Sequence, residues 1–134
     1  MKNEKNIKKF LINFLTNNFS KDSTILDIGA GWGSYADLLK DYFPNIDAVE
    51  KQSIDVKMFN LEKKYRKVFN MDFKELDFDF YNIIILGNVL EYFSIEESKK
   101  LFKYLFPKCD EILVAIPLFN IKNAYRTPWE GNFL

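Results

Sequence analysis

The 134-residue sequence has no histidine and one cysteine, Cys109. Without histidine, catalytic triads and general bases that depend on imidazole are excluded, and so are nearly all zinc sites. A single cysteine cannot form an internal disulfide, which fits a reducing compartment. We therefore predict a cytoplasmic protein with no metal site, in which Cys109 packs against its neighbours rather than acting as a nucleophile.

Long apolar runs and an excess of one charge are also missing. No apolar stretch approaches the roughly 20 residues that a transmembrane helix needs, and Lys8 and Lys9 interrupt any signal-peptide core. Lys+Arg and Asp+Glu are balanced at 19 each, so the net charge gives no argument for a nucleic acid or an anionic membrane as a partner. With 48% apolar residues, the chain has enough core material for one globular domain.

The order of the apolar patterns predicts an α/β fold. Strands are predicted over residues 24–28, 46–50, 65–69, 80–86 and 111–116. Helices are predicted over residues 3–19, 33–43, 54–61 and 94–106, the last one beginning with a capping box, and the charged run 62–67 is predicted to be surface loop. Strands and helices that alternate with short connections favour a doubly wound parallel sheet, with the strand order 3-2-1-4-5 if the chain reverses after the third strand.

Residues 1–134 are predicted to form one domain, with a helix over 1–20, a core over 22–117 and an irregular tail over 118–134. The first helix has an apolar stripe that is predicted to pack on the core rather than on a membrane: Ile7, Phe10, Leu11, Phe14 and Leu15. The helix after the first strand has a second stripe, predicted to be buried: Tyr35, Leu38, Leu39, Tyr42 and Phe43.

A glycine-rich turn joins the first predicted strand to the following helix. Glycines occupy positions 29, 31 and 33, and Asp27 precedes the first of them by two residues. Because glycines let the backbone approach a ligand closely, a strand, glycine loop and helix in this order indicate a nucleotide-binding element, the alternative being a turn with no ligand. Ser34 stands where a dinucleotide fingerprint has glycine or alanine, which disfavours an NAD-dependent oxidoreductase.

An acidic residue, Glu50, ends the second predicted strand. It lies about 20 residues after Gly29, where an acid at the carboxyl end of a strand meets a ribose. A carboxylate can accept hydrogen bonds from both ribose hydroxyls at once. We therefore predict that Glu50 binds a ribose, the alternative being a solvated loop residue.

The pattern acid-x-Gly-x-Gly-x-Gly over residues 27–33 closely resembles motif I of the class I S-adenosylmethionine-dependent methyltransferases. The resemblance extends over about residues 22–117 and implies a Rossmann-like fold. It also implies S-adenosyl-L-methionine (SAM) as the cofactor and S-adenosyl-L-homocysteine (SAH) as the product. The cofactor contacts that it implies around motif I and the second strand are Asp27, Gly29, Ala30, Gly31, Gly33, Glu50 and Lys51.

The resemblance further implies an adenine subsite after the third strand. In this family an acid there accepts a hydrogen bond from the exocyclic amine of adenine, and the backbone amide of the next residue reaches a ring nitrogen. Asp72 and Phe73 match this arrangement. The alternative is that Asp72 is one acid among several in a solvated loop.

The segment 87–92 after the fourth strand resembles motif IV of small-molecule methyltransferases, with two departures. Asn88 replaces the expected acid, and Tyr92 replaces a frequent histidine, so a side-chain general base is in doubt here. The backbone at Gly87 and Asn88 is predicted to accept hydrogen bonds from the methionine ammonium. The candidate catalytic residues are Asn88, Tyr92, Tyr125, Arg126 and Glu130.

These features predict methyl transfer from SAM to an acceptor nitrogen, oxygen or carbon atom. The predicted acceptor is a small molecule, with nucleic acid and protein acceptors left open and no membrane partner. The alternative is a non-catalytic SAM- or nucleotide-binding module or partner subunit, supported by the replaced acid at Asn88 and by the short chain.

The short chain also makes a prediction about assembly. Family members normally continue after the fifth strand with a helix and two further strands, and this sequence has too few residues after Pro117 for that unit. We therefore predict a sheet that lacks strands 6 and 7, with strand 5 at its edge. An unpaired edge favours self-association through strand 5, or marks a fragment, unless the tail covers it.

Overall fold

The structure, a computed structural model, describes residues 2–87 and 89–115. The strands are β1 (Ile25–Ile28), β2 (Ile46–Val49), β3 (Lys67–Phe69), β4 (Tyr81–Gly87) and β5 (Cys109–Ala115). The helices are α1 (Lys2–Asn18), α2 (Ser34–Leu39), α3 (Ser53–Met58), α4 (Leu61–Lys64) and α5 (Ile95–Leu105). The five strands form one parallel sheet in the order β3-β2-β1-β4-β5, so the predicted α/β class and strand order are confirmed.

Helices cover both faces of this sheet. Side chains alternate along a strand, so Ile25 packs on one face with Leu39 of α2, and Leu26 packs on the other with Leu101 of α5. Helices α1 to α4 contribute to the first core cluster and α5 to the second. The central strands are buried on both faces, which explains why β1 and β4 are nearly all apolar.

The register of the sheet brings the carboxyl ends of four strands together. Ile28 of β1 pairs with Val49 of β2 and with Leu86 of β4, and Val49 pairs in turn with Phe69 of β3. Because all these strands are parallel, the residues that follow them leave the sheet along one edge. The predicted ligand-binding turns therefore lie side by side.

Helix α2 is shorter than its predicted span of residues 33–43. It ends at Leu39, whose carbonyl accepts hydrogen bonds from the backbone amides of both Tyr42 and Phe43. This turn changes the direction of the following side chains. Phe43 is still buried, but Tyr42 is 43% exposed, so its predicted burial is wrong.

The segment between β2 and β3 contains two short helices instead of the single predicted one over residues 54–61. Asn60, in the left-handed conformation at φ 56°, lies between the two helices and is the N-cap of α4. Asparagine tolerates this conformation better than most residues. The charged run 62–67 was predicted to be loop, which is wrong, because α4 and the start of β3 occupy it and Leu61 anchors it in the core.

Helix α1 packs on the core through its second half. Leu15 is fully buried and Leu11 and Phe14 are partly buried, whereas Ile7 and Phe10 are exposed, so the predicted stripe is wrong at its amino-terminal end. None of the helices in the described ranges is long and apolar enough to cross a bilayer.

Strand β5 has β4 as its one partner within the described part of the chain. Its side chains are partly or largely exposed, and among the large apolar ones Val114 is 42% exposed. The predicted tail over residues 118–134 lies outside the described residues. Self-association through the β5 edge therefore stays a prediction.

A buried ionic cluster joins β2 to the start of β3 and to β4. Asp47 accepts two hydrogen bonds from Arg66, at 2.9 and 2.8 Å, and one from the Tyr81 hydroxyl at 2.6 Å. Burial raises the pKa of Asp47, but the hydrogen bonds from Arg66 and Tyr81 and the charge of Arg66 outweigh it, so the pKa lies below its usual value. The cluster therefore stabilises the fold while Asp47 is ionised.

We expect Arg66→Leu to lower the free energy of unfolding by about 2–3 kcal/mol at pH 7, less than for a fully buried pair because Arg66 is partly exposed. The pKa of Asp47 is lower in the folded protein than in the unfolded chain, so this stabilisation is fully present above the pKa of the unfolded state. It is lost as the pH falls through the pKa of the folded state. Urea unfolding should therefore show a smaller difference between variant and wild type at pH 3 than at pH 7. Lys63→Leu, on an exposed helix position, is the control.

Candidate functional site

A cleft of about 590 Å³ opens at the carboxyl edge of the sheet. Its walls come from the turns after β1, β2 and β3 and from the segment after β4. Of the residues predicted for the site, Gly29, Glu50, Lys51, Asp72, Phe73 and Tyr92 line this cleft. Four separate turns thus contribute to one site, because the strand register aligns them.

The glycine loop has a backbone conformation that side chains would disturb. Gly29 has φ 73°, and a Cβ atom there would lie 2.7 Å from Cγ2 of Val89 on the other side of the cleft. The amides of Gly29 and Ala30 both donate to the Val49 carbonyl, which fixes the loop to the end of β2. Ala30, Gly31 and Gly33 do not line the cleft themselves: Ala30 is buried, and Gly33 packs on α4 at the start of α2.

The Glu50 carboxylate holds two turns together at the centre of the cleft. Oε1 accepts a hydrogen bond from the Gly31 amide at 2.8 Å, and Oε2 accepts one from the Gln52 amide at 2.9 Å. The side chain is only 7% exposed, yet it belongs to the cleft wall. Each carboxylate oxygen has two lone pairs, so one acceptor position on each remains for a ligand.

The residues predicted to bind adenine form the outer wall of the cleft. Asp72 caps a short turn by accepting a hydrogen bond from the Lys74 amide at 3.0 Å, and its other oxygen lies 3.6 Å from Lys51 Nζ. Phe73 packs edge to face against Phe93, with ring centroids 5.6 Å apart.

Asp27 lies behind the glycine loop rather than in the cleft wall. It is 0% exposed, and its Oδ2 accepts a hydrogen bond from the Tyr65 hydroxyl at 2.5 Å. Oδ1 is buried and has no hydrogen-bond partner among the described residues. Burial raises the pKa of Asp27 to about 7, with the nearby charge of Glu50 adding to the rise and the Tyr65 hydrogen bond opposing it.

Gly87 ends β4 next to an aromatic ring from α2. A Cβ atom at Gly87 would lie 2.5 Å from Cε2 of Tyr35. Tyr92 lines the cleft and is 81% exposed, so it stands at the cleft mouth. The other candidate catalytic residues lie outside the described residues: Asn88, Tyr125, Arg126 and Glu130.

Several cleft residues were not predicted from the sequence. Their positions beside predicted ones are the only signal that could have identified them, since each lies in, or directly before, a turn that already contained a candidate. The unpredicted lining residues are Ile28, Val49, Gln52, Met71, Lys74, Val89 and Phe93. Tyr65 was also missed, because nothing in its local pattern indicates that it reaches a carboxylate 38 residues away.

This arrangement is suited to a nucleoside with a positively charged substituent. Acidic side chains occur at the centre, at one end and behind the loop, namely Glu50, Asp72 and Asp27. Apolar side chains such as Met71 and Phe73 provide surfaces for a flat base. Carboxylate oxygens accept hydrogen bonds from hydroxyl, amino and ammonium groups alike.

Solved structures with a similar fold include several methyltransferases. The plantazolicin methyltransferase BpumL, in complex with a pentazolic desmethylPZN analog and SAH, has a TM-score of 0.68 at 17% identity over 90% of this chain and 49% of that chain. Magnesium protoporphyrin IX methyltransferase (ChlM) from Synechocystis PCC 6803, with bound SAM, has a TM-score of 0.65 at 16% identity over 80% of this chain and 55% of that chain. The mitomycin 7-O-methyltransferase MmcR has a TM-score of 0.57 at 20% identity over 72% of this chain and 32% of that chain.

At these identities the similarity shows the fold. This chain spans between 32% and 55% of the length of those three proteins. No curated protein sequence matches the chain. The profile of the DREV methyltransferase family matches residues 1–121, which include every strand and helix described above and every residue that lines the cleft. The chain therefore belongs to the DREV methyltransferase family.

Proposed function

We propose that the cleft binds SAM and that the protein transfers the methyl group of SAM to an acceptor. Membership of a methyltransferase family supports this proposal, as do the SAM and SAH in the structures of similar fold. The observation that carries it is the Glu50 carboxylate. It is buried in the cleft wall, fixed by two backbone amides, and has acceptor positions left for the two hydroxyls of a ribose.

The position of Glu50 also indicates where the adenine and methionine parts of the cofactor would lie. Asp72 and the Phe73 amide are on the β3 side of Glu50, where they would bind adenine. Gly29 is on the β1 side, where the methionine part of the cofactor would lie against the glycine loop. Bound SAM supplies an electrophilic methyl group, so accurate positioning by these residues contributes much of the rate.

We propose a small molecule as the acceptor. The similar structures include a plantazolicin and a magnesium protoporphyrin IX methyltransferase, whose names give small-molecule substrates. The exposed Tyr92 at the cleft mouth offers an aromatic surface that a small planar acceptor could contact.

Methyl transfer from isotopically labelled SAM tests the function directly. We expect label to move to the low-molecular-weight fraction of a cell extract when the protein is added, and not when it is omitted. Label in the protein or nucleic acid fraction would contradict a small-molecule acceptor. SAH binding without transfer to any fraction would instead favour the non-catalytic module, to which the replacement of the motif IV acid by Asn88 also points.

Calorimetric titration with SAH tests the cleft itself. We expect a dissociation constant in the micromolar range, about −8 kcal/mol. Glu50→Ala should weaken binding by roughly 1–3 kcal/mol, because the ribose loses a charged acceptor and the glycine loop loses its anchor. Glu62→Ala removes an exposed acid outside the cleft and should leave the affinity unchanged. Equal affinities of Glu50→Ala and wild type would contradict the assignment of Glu50.

Asp72→Asn tests the adenine position. The substitution preserves the size of the side chain but turns part of the acceptor into a donor that faces the exocyclic amine of adenine. We expect weaker SAH binding, together with reduced discrimination against the inosine analogue of SAH, because that analogue presents a carbonyl oxygen instead of the amine. If Asp72→Asn binds both ligands as the wild type does, adenine lies elsewhere.

A further inference from the structure

Two carboxylates lie close together at the glycine loop, but their surroundings differ. Glu50 has a backbone amide on each oxygen. Asp27 has a single partner, the Tyr65 hydroxyl, and a buried Oδ1 that no group in the described part of the chain satisfies. A buried carboxylate without a compensating cation costs free energy, so the site is prepared for a proton or for a positive charge.

The groups that face Asp27 come from every element packed around it. Glu50 at the end of β2 brings a negative charge, and Tyr65 after α4 brings a hydroxyl donor. Tyr35 of α2 lies near enough that Asp27, together with burial, raises the pKa of its phenol. Behind Tyr65, Lys64 and Asp37 pair with each other at 3.0 Å. Lys64, the one lysine among these residues, is therefore already paired with Asp37.

A bound cofactor would bring the missing cation to this end of the cleft. With adenine at Asp72 and ribose at Glu50, the amino-acid part of SAM or SAH lies at the ends of β1 and β4. Asp27 is in β1, and Gly87 and Tyr35 border the same end. The ligand ammonium would therefore interact electrostatically with the buried Asp27 carboxyl, which lies behind the glycine loop.

We propose that Tyr65 is a positioning residue for cofactor binding: its hydroxyl holds the Asp27 carboxyl behind the glycine loop, so that arrival of the ligand ammonium ionises Asp27 and releases a proton. This inference rests on the proposed function. The Asp27 proton leaves for solvent, and the carboxylate that remains is balanced by the ligand cation and by the hydrogen bond from Tyr65.

The expected pH dependence follows from the protonation states. Burial raises the pKa of Asp27 to about 7 in the free protein, so below pH 7 binding must expel the proton. The affinity for SAH should therefore rise with pH through pH 7 and become constant above about pH 8. In Tyr65→Phe the carboxylate loses its hydrogen bond, so the pKa of Asp27 rises further and the whole profile moves to higher pH.

The experiment uses calorimetry with SAH on the full chain between pH 6 and 8.5, in buffers of different ionisation enthalpy. For the wild type we expect release of about one proton per SAH bound at pH 6 and about half a proton at pH 7. If the hydrogen bond is equivalent to about one pH unit, Tyr65→Phe should bind about tenfold more weakly than wild type at pH 6 and less than twofold more weakly at pH 8.5. Asp27→Asn should bind with no proton release.

Tyr81→Phe is the matched control, because it removes a buried tyrosine–carboxylate hydrogen bond of similar length on Asp47, outside the cleft. It should lower the melting temperature without moving the pH profile. An equal loss of affinity at every pH in Tyr65→Phe, or binding by the wild type without proton release, would overturn the inference. If Tyr65→Phe fails to fold, wild-type binding without proton release still overturns the inference, whereas absence of SAH binding at every pH would refute the proposed function instead.

Discussion

The cleft depends on the contact between one carboxylate and the backbone of two turns. Glu50 fixes the Gly31 amide of the glycine loop and the Gln52 amide before α3 at the same time. It reaches both because β1 and β2 pair in a register that places Ile28 beside Val49. A shift of one residue in this pairing would direct Glu50 to the opposite face of the sheet and leave the loop without an anchor.

Local sequence patterns were sufficient to predict those parts of the protein whose structure depends on interactions between neighbouring residues. The glycine loop, Glu50 at the end of β2 and the capping box at Ser94 each depend on residues within a few positions, and the strand order follows from general rules of chain connection. The end of α2 at Leu39 was not predictable in the same way. The helix ends there because the backbone amides of Tyr42 and Phe43 both donate to the Leu39 carbonyl. The spacing of the apolar residues does not indicate this arrangement.

Contacts between residues that are far apart in the sequence limited how much of the candidate site could be predicted. The partner of Asp27 is Tyr65, 38 residues away in the sequence, and nothing in the local pattern around Tyr65 indicates this contact. The edge-to-face packing of Phe73 on Phe93 joins turns after different strands in the same way. Sequence reasoning therefore identified which turns form the cleft, but not which side chains brace those turns from behind.

The contact between Gly87 and Tyr35 has a consequence for how this sequence can change. The two residues lie 52 positions apart along the chain, yet the ring of one fills the space that a side chain on the other would need. A side chain at position 87 requires the ring of Tyr35 to move or to be absent. A substitution of Gly87 is therefore accommodated most easily after Tyr35 has been replaced by a smaller residue.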